Sequence, residues 1–142
     1  MKTSNNGIAF IKSFESLSLK AYVCPAGVRT IGWGHTMNVK PGDVCTVEQA
    51  SKWLKEDLKP AEAAVNAMGV SLSQDQFDSL VSFTFNCGVS AFEKSTLRKK
   101  VMSNSKDESI RQEFKKWKFA NGKVLKGLAR RRQMEAEMYF RS

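Results

Sequence analysis

The stretch Ser71–Gly88 constrains the fold most, because it combines a helix start, an apolar stripe and a helix stop. Residues 73–76, Ser-Gln-Asp-Gln, have the form of a capping box, in which the first and fourth side chains bind each other's backbone N–H groups. Gly88 is a typical helix stop. The helical spacing is carried by Phe77, Leu80, Val81, Thr84 and Phe85. We therefore predict one helix between these limits and place it at the centre of the core.

The chain before this helix holds a first helix and the only β segment that the sequence predicts. Apolar residues recur at helical spacing from Asn5 to about Leu17, with Ser4 or Asn5 as the N-cap. Residues 25–27, Pro-Ala-Gly, then separate two short runs rich in β-branched and aromatic residues, which predicts an antiparallel hairpin. A turn at 40–43 closes this segment.

Helices account for the rest of the prediction. A second capping box at 46–49 starts a helix that Pro60 breaks or kinks, and a short continuation ends at Gly69. Shorter helices are predicted at about 95–102, 107–119 and 128–139, with an Asn-Gly turn at 121–122.

The predicted fold class is therefore α+β: mostly helical, with a small antiparallel β hairpin lobe after the first helix. A chain of 142 residues can form a single domain. We expect one such domain over 1–142, with the first helix and β lobe at about 1–45 and a helical lobe at about 46–142.

Cysteine and histidine usage argues against a metal centre. Cys24, Cys45 and Cys87 have no CxxC spacing, and His35 is the only histidine, so no zinc site or other metal is predicted. Three cysteines in a chain of this length favour free thiols in a reducing cytoplasm. No apolar run approaches the roughly 20 residues of a membrane span, and the N-terminus lacks the apolar stretch of a secretory signal. We therefore expect a cytoplasmic protein.

Positive charge is concentrated in the last third of the chain. Residues 1–93 carry 8 Lys and Arg against 9 Asp and Glu, whereas residues 94–142 carry 15 against 5. This distribution favours attraction to anionic partners that weakens as salt rises. Apolar residues interleave with the basic ones in 107–142, so the segment could form amphipathic helices at an anionic membrane, or could pack onto the central helix.

A nucleic-acid-binding module is the alternative that the basic residues suggest. Three arginines at 130–132 and the stretch Lys-Lys-Trp-Lys at 115–118 resemble a basic patch with an interleaved aromatic residue. No helix-turn-helix or RNP motif accompanies them, so nucleic acid is not the predicted partner.

Glu15 is the first candidate for chemistry. It follows Phe14 on the apolar side of the first predicted helix. A carboxyl group in apolar surroundings retains its proton more readily than one in water, which suits it to donate that proton near neutral pH. Taken alone, a helical glutamate is more often a solvated surface charge.

Three separated segments carry a family resemblance that spans nearly the whole chain. The first runs from Glu15 past Cys24 and Thr30 to the sequence IGWGHT at 31–36. The others are SLSQDQFDSLVSFTFNCG at 71–88 and FKKWKFANGKVLKGLARRRQMEAEMYF at 114–140. In this order they closely resemble the phage-type lysozymes, or endolysins. The resemblance implies a lysozyme-like fold and hydrolysis of the β-1,4 bond between N-acetylmuramic acid and N-acetylglucosamine in bacterial peptidoglycan.

The resemblance also implies roles for particular residues. Glu15 matches the general acid of the family, and Thr30 matches a threonine that helps to hold the attacking water. His35 matches a histidine at the base of the β lobe, and Phe85 and Asn86 match cleft residues of the central helix. We take these three as candidate substrate-site residues, and for His35 a structural role is favoured over catalysis, because two carboxyl groups suffice for glycoside hydrolysis.

Cys24 is a departure from the family pattern, since better-known members carry Asp at this position. The sequence has no acidic residue between Glu15 and Asp43, so the usual second carboxylate is missing. Three interpretations stay open: a thiolate that acts as base or electrostatic partner, a neutral thiol that orients the water with Thr30, or a small buried side chain.

The expected function is that of a monomeric muramidase that lyses bacteria, inverts the anomeric centre and needs no cofactor. Its expected partner is peptidoglycan, with anionic lipopolysaccharide or a membrane surface as a further partner for residues 107–142. Release from the host cytoplasm would then depend on a separate pore-forming protein, a holin. A non-hydrolytic wall binder and a lytic transglycosylase are the alternatives within the same fold.

Overall fold

A computed structural model describes residues 1–141, in which helices predominate at 55%. The α+β prediction is confirmed. The helices are α1 (Asn5–Phe14), α2 (Val47–Asp57), α3 (Lys59–Asn66), α4 (Gln74–Cys87), α5 (Val89–Glu93), α6 (Thr96–Ser103), α7 (Ile110–Lys115) and α8 (Lys126–Phe140). The strands are β1 (Ser18–Val23), β2 (Arg29–Gly32), β3 (Phe119–Ala120) and β4 (Lys123–Val124). The backbone forms two compact units: Ile8–Lys59, called the smaller unit, and Met1–Gly7 together with the chain from Pro60 onward, called the larger unit.

The smaller unit is built around the predicted N-terminal hairpin. Strands β1 and β2 pair antiparallel, with Tyr22 opposite Thr30, and an irregularity interrupts the register between Ser18 and Tyr22. Helix α2 packs against β2. Ile31 is buried there in a small hydrophobic core together with Cys45 and Ala50. The partly buried side chains packed against this core are Ala21, Trp33, Val39 and Trp53.

The two predicted capping boxes and the predicted helix boundaries at Pro60, Gly69 and Gly88 are confirmed. Thr46 and Ser73 are N-caps, and in both boxes the fourth side chain accepts a bond from the cap backbone N–H. Helix α3 takes up Pro60 in its first turn, where a missing N–H costs little. Gly69 adopts a φ of 65°, and α4 ends before Gly88.

Helix α4 forms the centre of the larger unit, as predicted. Its side chains from Phe77 to Thr84 are all buried, and it packs against α8 and α5. The Phe83 ring makes edge-to-face contacts with Phe92, Phe114 and Trp117 at centroid separations of 5.4–6.3 Å. Aromatic pairs in this arrangement add about 0.5–1.5 kcal/mol each beyond the burial of their area.

The first residues of the chain are tied to α3 and α4. Thr3 donates to the Glu62 carboxylate through its backbone N–H and its hydroxyl, at 2.7 and 2.6 Å. Ser4 donates through the same two groups to the buried carboxylate of Asp78. The Ser4 hydroxyl also accepts the Gly7 N–H at 3.0 Å, so Ser4 is the N-cap of α1.

Two predicted helices are shorter than the sequence indicates. Helix α1 ends at Phe14 and not near Leu17, because the chain must be extended by Ser18, which pairs with Gly32. Helix α7 ends at Lys115, and the next residues form a hairpin of β3 and β4. Its turn residues Asn121 and Gly122 have φ values of 52° and 77°, as a tight type I′ hairpin turn requires. Helix α5 was not predicted.

The close approach of Gly7 to Asp78 generates a stability prediction. A Cβ atom at position 7 would lie 2.5 Å from Asp78 Cγ and 2.8 Å from Thr3 Cγ2, so Gly7→Ala should lower the free energy of unfolding by about 1–3 kcal/mol. The matched control is Gly127→Ala in α8, where nothing lies within 4 Å, and stability should be unchanged or rise by about 0.5 kcal/mol. Urea unfolding of both variants measures the difference, and equal effects would contradict the prediction.

Candidate functional site

Glu15 lies at the junction between α1 and the N-terminal hairpin. It directly follows the last residue of α1, and its N–H still donates to the Ile11 carbonyl at 3.1 Å. The side chain is half-buried. The helix end therefore fixes the backbone of Glu15.

Gly34 forms the surface against which the Glu15 carboxyl group lies. A Cβ atom at position 34 would be only 3.1 Å from Glu15 Oε1, so the carboxyl group approaches bare backbone there. Gly34 has a φ of 78°, a conformation that favours glycine. The turn is closed by two hydrogen bonds between the backbones of Ile31 and His35, each 2.9 Å long. Sequence reasoning did not identify Gly34 as a site residue.

Cys24 and Thr30 meet on the N-terminal hairpin. Cys24 opens the tight turn, donating its N–H to the Val28 carbonyl at 2.9 Å and accepting the Gly27 N–H at 2.8 Å. Thr30 lies on β2, is 4% exposed, and donates its hydroxyl to the Val28 carbonyl at 3.0 Å. The same hydroxyl lies close enough to the Cys24 thiol to lower the pKa of that thiol. The structure thus brings together the two residues that the sequence proposes as water ligands.

The three cysteines are free thiols that differ in acidity. Hydrogen bonds with the backbone of Val28 and then of Ala26 hold the pKa of the half-buried Cys24 thiol below its ordinary value. Burial raises the pKa of the Cys45 thiol. Burial also raises the pKa of the Cys87 thiol, against the opposing effect of a neighbouring arginine. Cys24 is therefore the cysteine whose surroundings favour the thiolate.

His35 has the contacts of a structural residue. Its Nδ1 lies 2.8 Å from the Asp57 carboxylate, and its ring stacks on Trp53 with the centroids 4.6 Å apart. Both partners are on α2, one helical turn apart, so a single face of α2 holds the imidazole ring. These contacts favour the structural role over direct catalysis. The partner Asp57 was not foreseen, although its spacing from Trp53 is a signal that the sequence contains.

Phe85 and Asn86 lie in the last turn of α4, where Phe85 is half-buried and Asn86 is exposed. The Asn86 Oδ1 atom accepts a hydrogen bond from Arg132 at 2.8 Å. This bond fixes the orientation of the amide and leaves its nitrogen as the group that can donate to a ligand. A surface pocket of about 340 Å³ adjoins Asn86, and its lining is Asn86, Cys87, Trp117, Phe119, Leu128 and Arg132.

A buried ionic network holds Arg132 in place. Arg132 Nε lies 2.7 Å from Glu135 Oε1, and the other oxygen of Glu135 accepts the Ser82 hydroxyl at 2.6 Å. Arg131 and Arg132 are 3% and 1% exposed. The arginine run at 130–132 is therefore not the exposed basic stripe that the nucleic-acid hypothesis needs.

Two further findings concern metal ions and membranes. In residues 1–141, no group of three or more His, Cys, Asp or Glu side chains could hold a metal ion. Within the same residues, no helix combines the length and the apolar character required to cross a bilayer.

The chain resembles known proteins along almost its full length. Residues 12–135 match the phage lysozyme family. The endolysin of Acyrthosiphon pisum secondary endosymbiont phage 1 is 46% identical over 145 residues, covering 98% of each chain. The muramidase domain of SpmX from Asticaccaulis excentricus superposes with a TM-score of 0.91 at 38% identity, and a mutant of the lysozyme of Salmonella phage P22 with 0.88 at 35%. Each alignment covers 99% of both chains.

The lowered pKa of Cys24 generates a prediction about thiol reactivity. Because the thiolate is the reactive form, iodoacetamide should modify Cys24 at pH 7 about tenfold faster than either Cys45 or Cys87. Mass spectrometry of the peptides measures the three rates. In urea the difference should disappear, which is the control for local sequence effects. Equal rates for Cys24 and Cys87 in the folded protein would contradict the prediction.

Proposed function

The chain belongs to the phage lysozyme family and is an endolysin-type muramidase that acts on peptidoglycan, and on that premise we propose that Glu15 is its general acid. One observation carries the proposal: at the junction between α1 and the N-terminal hairpin, the Glu15 carboxyl group lies against the bare backbone of Gly34. A proton donor needs such a fixed position, because general acid catalysis requires the acid within hydrogen-bond reach of the leaving oxygen.

The proposed reaction is hydrolysis of the β-1,4 bond between N-acetylmuramic acid and N-acetylglucosamine. Glu15 protonates the glycosidic oxygen as the bond breaks, and a water molecule attacks the anomeric carbon from the opposite face, with inversion. The proton that this water loses passes to solvent, from which Glu15 is protonated again. This chemistry requires no organic cofactor.

Thr30 and Cys24 are proposed to hold the attacking water. The Thr30 hydroxyl lies beside the Cys24 thiol and is fixed by the Val28 carbonyl. A hydroxyl and a thiol can each donate and accept a hydrogen bond, so together they can orient one water. The lowered pKa of Cys24 adds the option of a negative charge beside the developing oxocarbenium ion.

We propose that Phe85 and Asn86 bind the glycan. We propose that His35 has a structural role and supports the N-terminal hairpin. The fixed orientation of the Asn86 amide supports its part, because the nitrogen is available to a carbonyl or carboxylate acceptor. The contacts of His35 with Asp57 and Trp53 support a structural role for the imidazole ring. Residues 1–142 are proposed to act as one catalytic domain and as a monomer.

Anionic surfaces of the bacterial envelope, including lipopolysaccharide, are proposed to attract the last third of the chain. Residues 94–142 carry 15 basic and 5 acidic residues. This imbalance supports a long-range attraction to anionic surfaces that weakens as the salt concentration rises. We also propose that the enzyme passes from the host cytoplasm to the cell wall through a separate pore-forming protein.

Glu15→Gln tests the general acid. An amide of the same shape cannot donate the proton, so clearing of a peptidoglycan suspension should slow by about 10²–10⁴-fold. The matched control is Glu56→Gln, an exposed glutamate of α2, which should retain wild-type activity. A Glu15→Gln rate within about threefold of wild type would remove Glu15 from the mechanism. Products of the wild-type enzyme should end in reducing N-acetylmuramic acid, whereas 1,6-anhydro ends would indicate a transglycosylase.

Substitutions of Cys24 test the water site. Cys24→Asp should remain active, because a carboxylate can also orient water beside Thr30. Cys24→Leu should lose about 10²-fold in rate, since a bulky apolar group displaces the water. Val23→Leu is the control for added volume at an exposed neighbouring position and should be neutral. Full activity of both Cys24→Ala and Cys24→Leu, with an unchanged pH profile, would contradict the proposal.

A further inference from the structure

The C-terminal hairpin, β3 and β4 with their turn, carries apolar side chains that the fold leaves exposed. Phe119 is 55%, Val124 52% and Leu125 46% exposed. Elsewhere in 107–141 the large apolar side chains of the helices pack inward: Ile110 and Phe114 are fully buried. Within 107–141, the large apolar side chains that are exposed are therefore those of this hairpin and of Leu125, which follows it.

The sequence around this hairpin is basic. No Asp or Glu occurs between Glu113 and Glu135, whereas eight Lys and Arg residues do. Arg131 and Arg132 are buried in the network with Glu135, so the exposed charge near the hairpin is mostly lysine. We define the hairpin patch as Phe119, Val124 and Leu125 with Lys118, Lys123 and Lys126.

The hairpin patch has a fixed geometry. Phe119 and Val124 are directly opposite each other on the two strands, so their side chains share one face of the hairpin. The Leu125 N–H donates to the Lys118 carbonyl at 3.0 Å and closes the hairpin at its base. The Lys118 ammonium lies 5.9 Å from the Phe119 ring centroid. A cationic group and an aromatic ring thus lie close together on one short hairpin, which also carries Lys123.

We propose that the hairpin patch docks the enzyme onto the surface of an anionic phospholipid bilayer. Phe119 and Val124 enter the boundary between headgroups and acyl chains, where aromatic and aliphatic side chains are favoured. The three lysines extend their ammonium groups to lipid phosphates, which matches their positive charge to the negative surface. A nucleic acid backbone or a lipid-free anionic glycan could also pair with the positive charges of the lysines. Neither would give Val124 and Leu125 apolar surroundings.

This inference goes beyond the proposed function, because lipid docking requires neither Glu15 nor Cys24. The two can therefore fail separately. Glu15→Gln should bind vesicles as wild type does while its hydrolytic rate falls.

The experiment measures binding of the full-length protein to sedimented vesicles at low salt, using phosphatidylcholine alone or mixed with phosphatidylglycerol. The wild type should bind the mixed vesicles only, and less as salt rises. The variant Lys118→Gln, Lys123→Gln, Lys126→Gln should bind at least about tenfold more weakly. Its control, Lys52→Gln, Lys55→Gln, Lys59→Gln, removes the same charge from exposed positions of α2 and α3 and should bind within about threefold of wild type.

A second pair of variants tests the apolar part of the patch. Phe119→Ser with Val124→Ser should weaken vesicle binding about tenfold, whereas Met37→Ser with Val44→Ser, exposed at 69% and 68%, should not. The lysine variant keeps every packed side chain, so it decides the question even if the serine variant unfolds. Equal losses in the patch lysine variant and its control, or binding to neutral vesicles alone, would overturn the proposal. It would also be overturned if the patch lysines affected DNA retention or binding to lipid-free wall and left vesicle binding unchanged.

Discussion

The buried carboxylate of Glu135 is the interaction on which the larger unit depends. It is fully buried, and its two oxygens are held by Arg132 at 2.7 Å and Ser82 at 2.6 Å. Removing one partner of a buried ion pair costs about 3–5 kcal/mol, because the other charge is left without compensation. Helix α8 carries both arginines and the carboxylate, while Ser82 belongs to α4. The two helices can therefore pack closely only with this network formed.

The same network also decides what the larger unit presents to ligands. Arg132 extends from Glu135 to Asn86, so a charge buried for the packing of α8 fixes the amide orientation at the end of α4. Because Arg131 and Arg132 are withdrawn from the surface, exposed positive charge near the C-terminal hairpin is carried mainly by lysines. Lysine is a compact, strongly hydrated charge on a flexible stem, which suits it to lipid phosphates beside an apolar side chain. Core packing and surface chemistry are thus linked through one glutamate.

Sequence predicted those parts of the fold that depend on neighbouring residues. The capping boxes at Thr46 and Ser73 and the stop at Gly88 are local, and all three are confirmed. The predicted end of α1 is wrong because the true end depends on pairing between Ser18 and Gly32, and the Asn-Gly turn predicted between two helices closes a hairpin. In the site, the family resemblance supplied Glu15 and Thr30. The approach of Gly34 to Glu15 is a tertiary contact that no local pattern contains.

The turn that holds Cys24 bears on the proposal that its thiol takes the place of the second carboxylate that the family resemblance implies. Hydrogen bonds with the backbone of Val28 and Ala26 favour a negative charge at this position whatever atom bears it. A thiol needs this help more than a carboxyl group does, because its ordinary pKa lies above neutrality. The fraction of thiolate, and any electrostatic part of catalysis, should therefore increase with pH over a range in which an Asp would already be fully charged. The proposed orientation of water by Thr30 and Cys24 requires no such charge, so on this proposal one function of the position is independent of pH and the other depends on it.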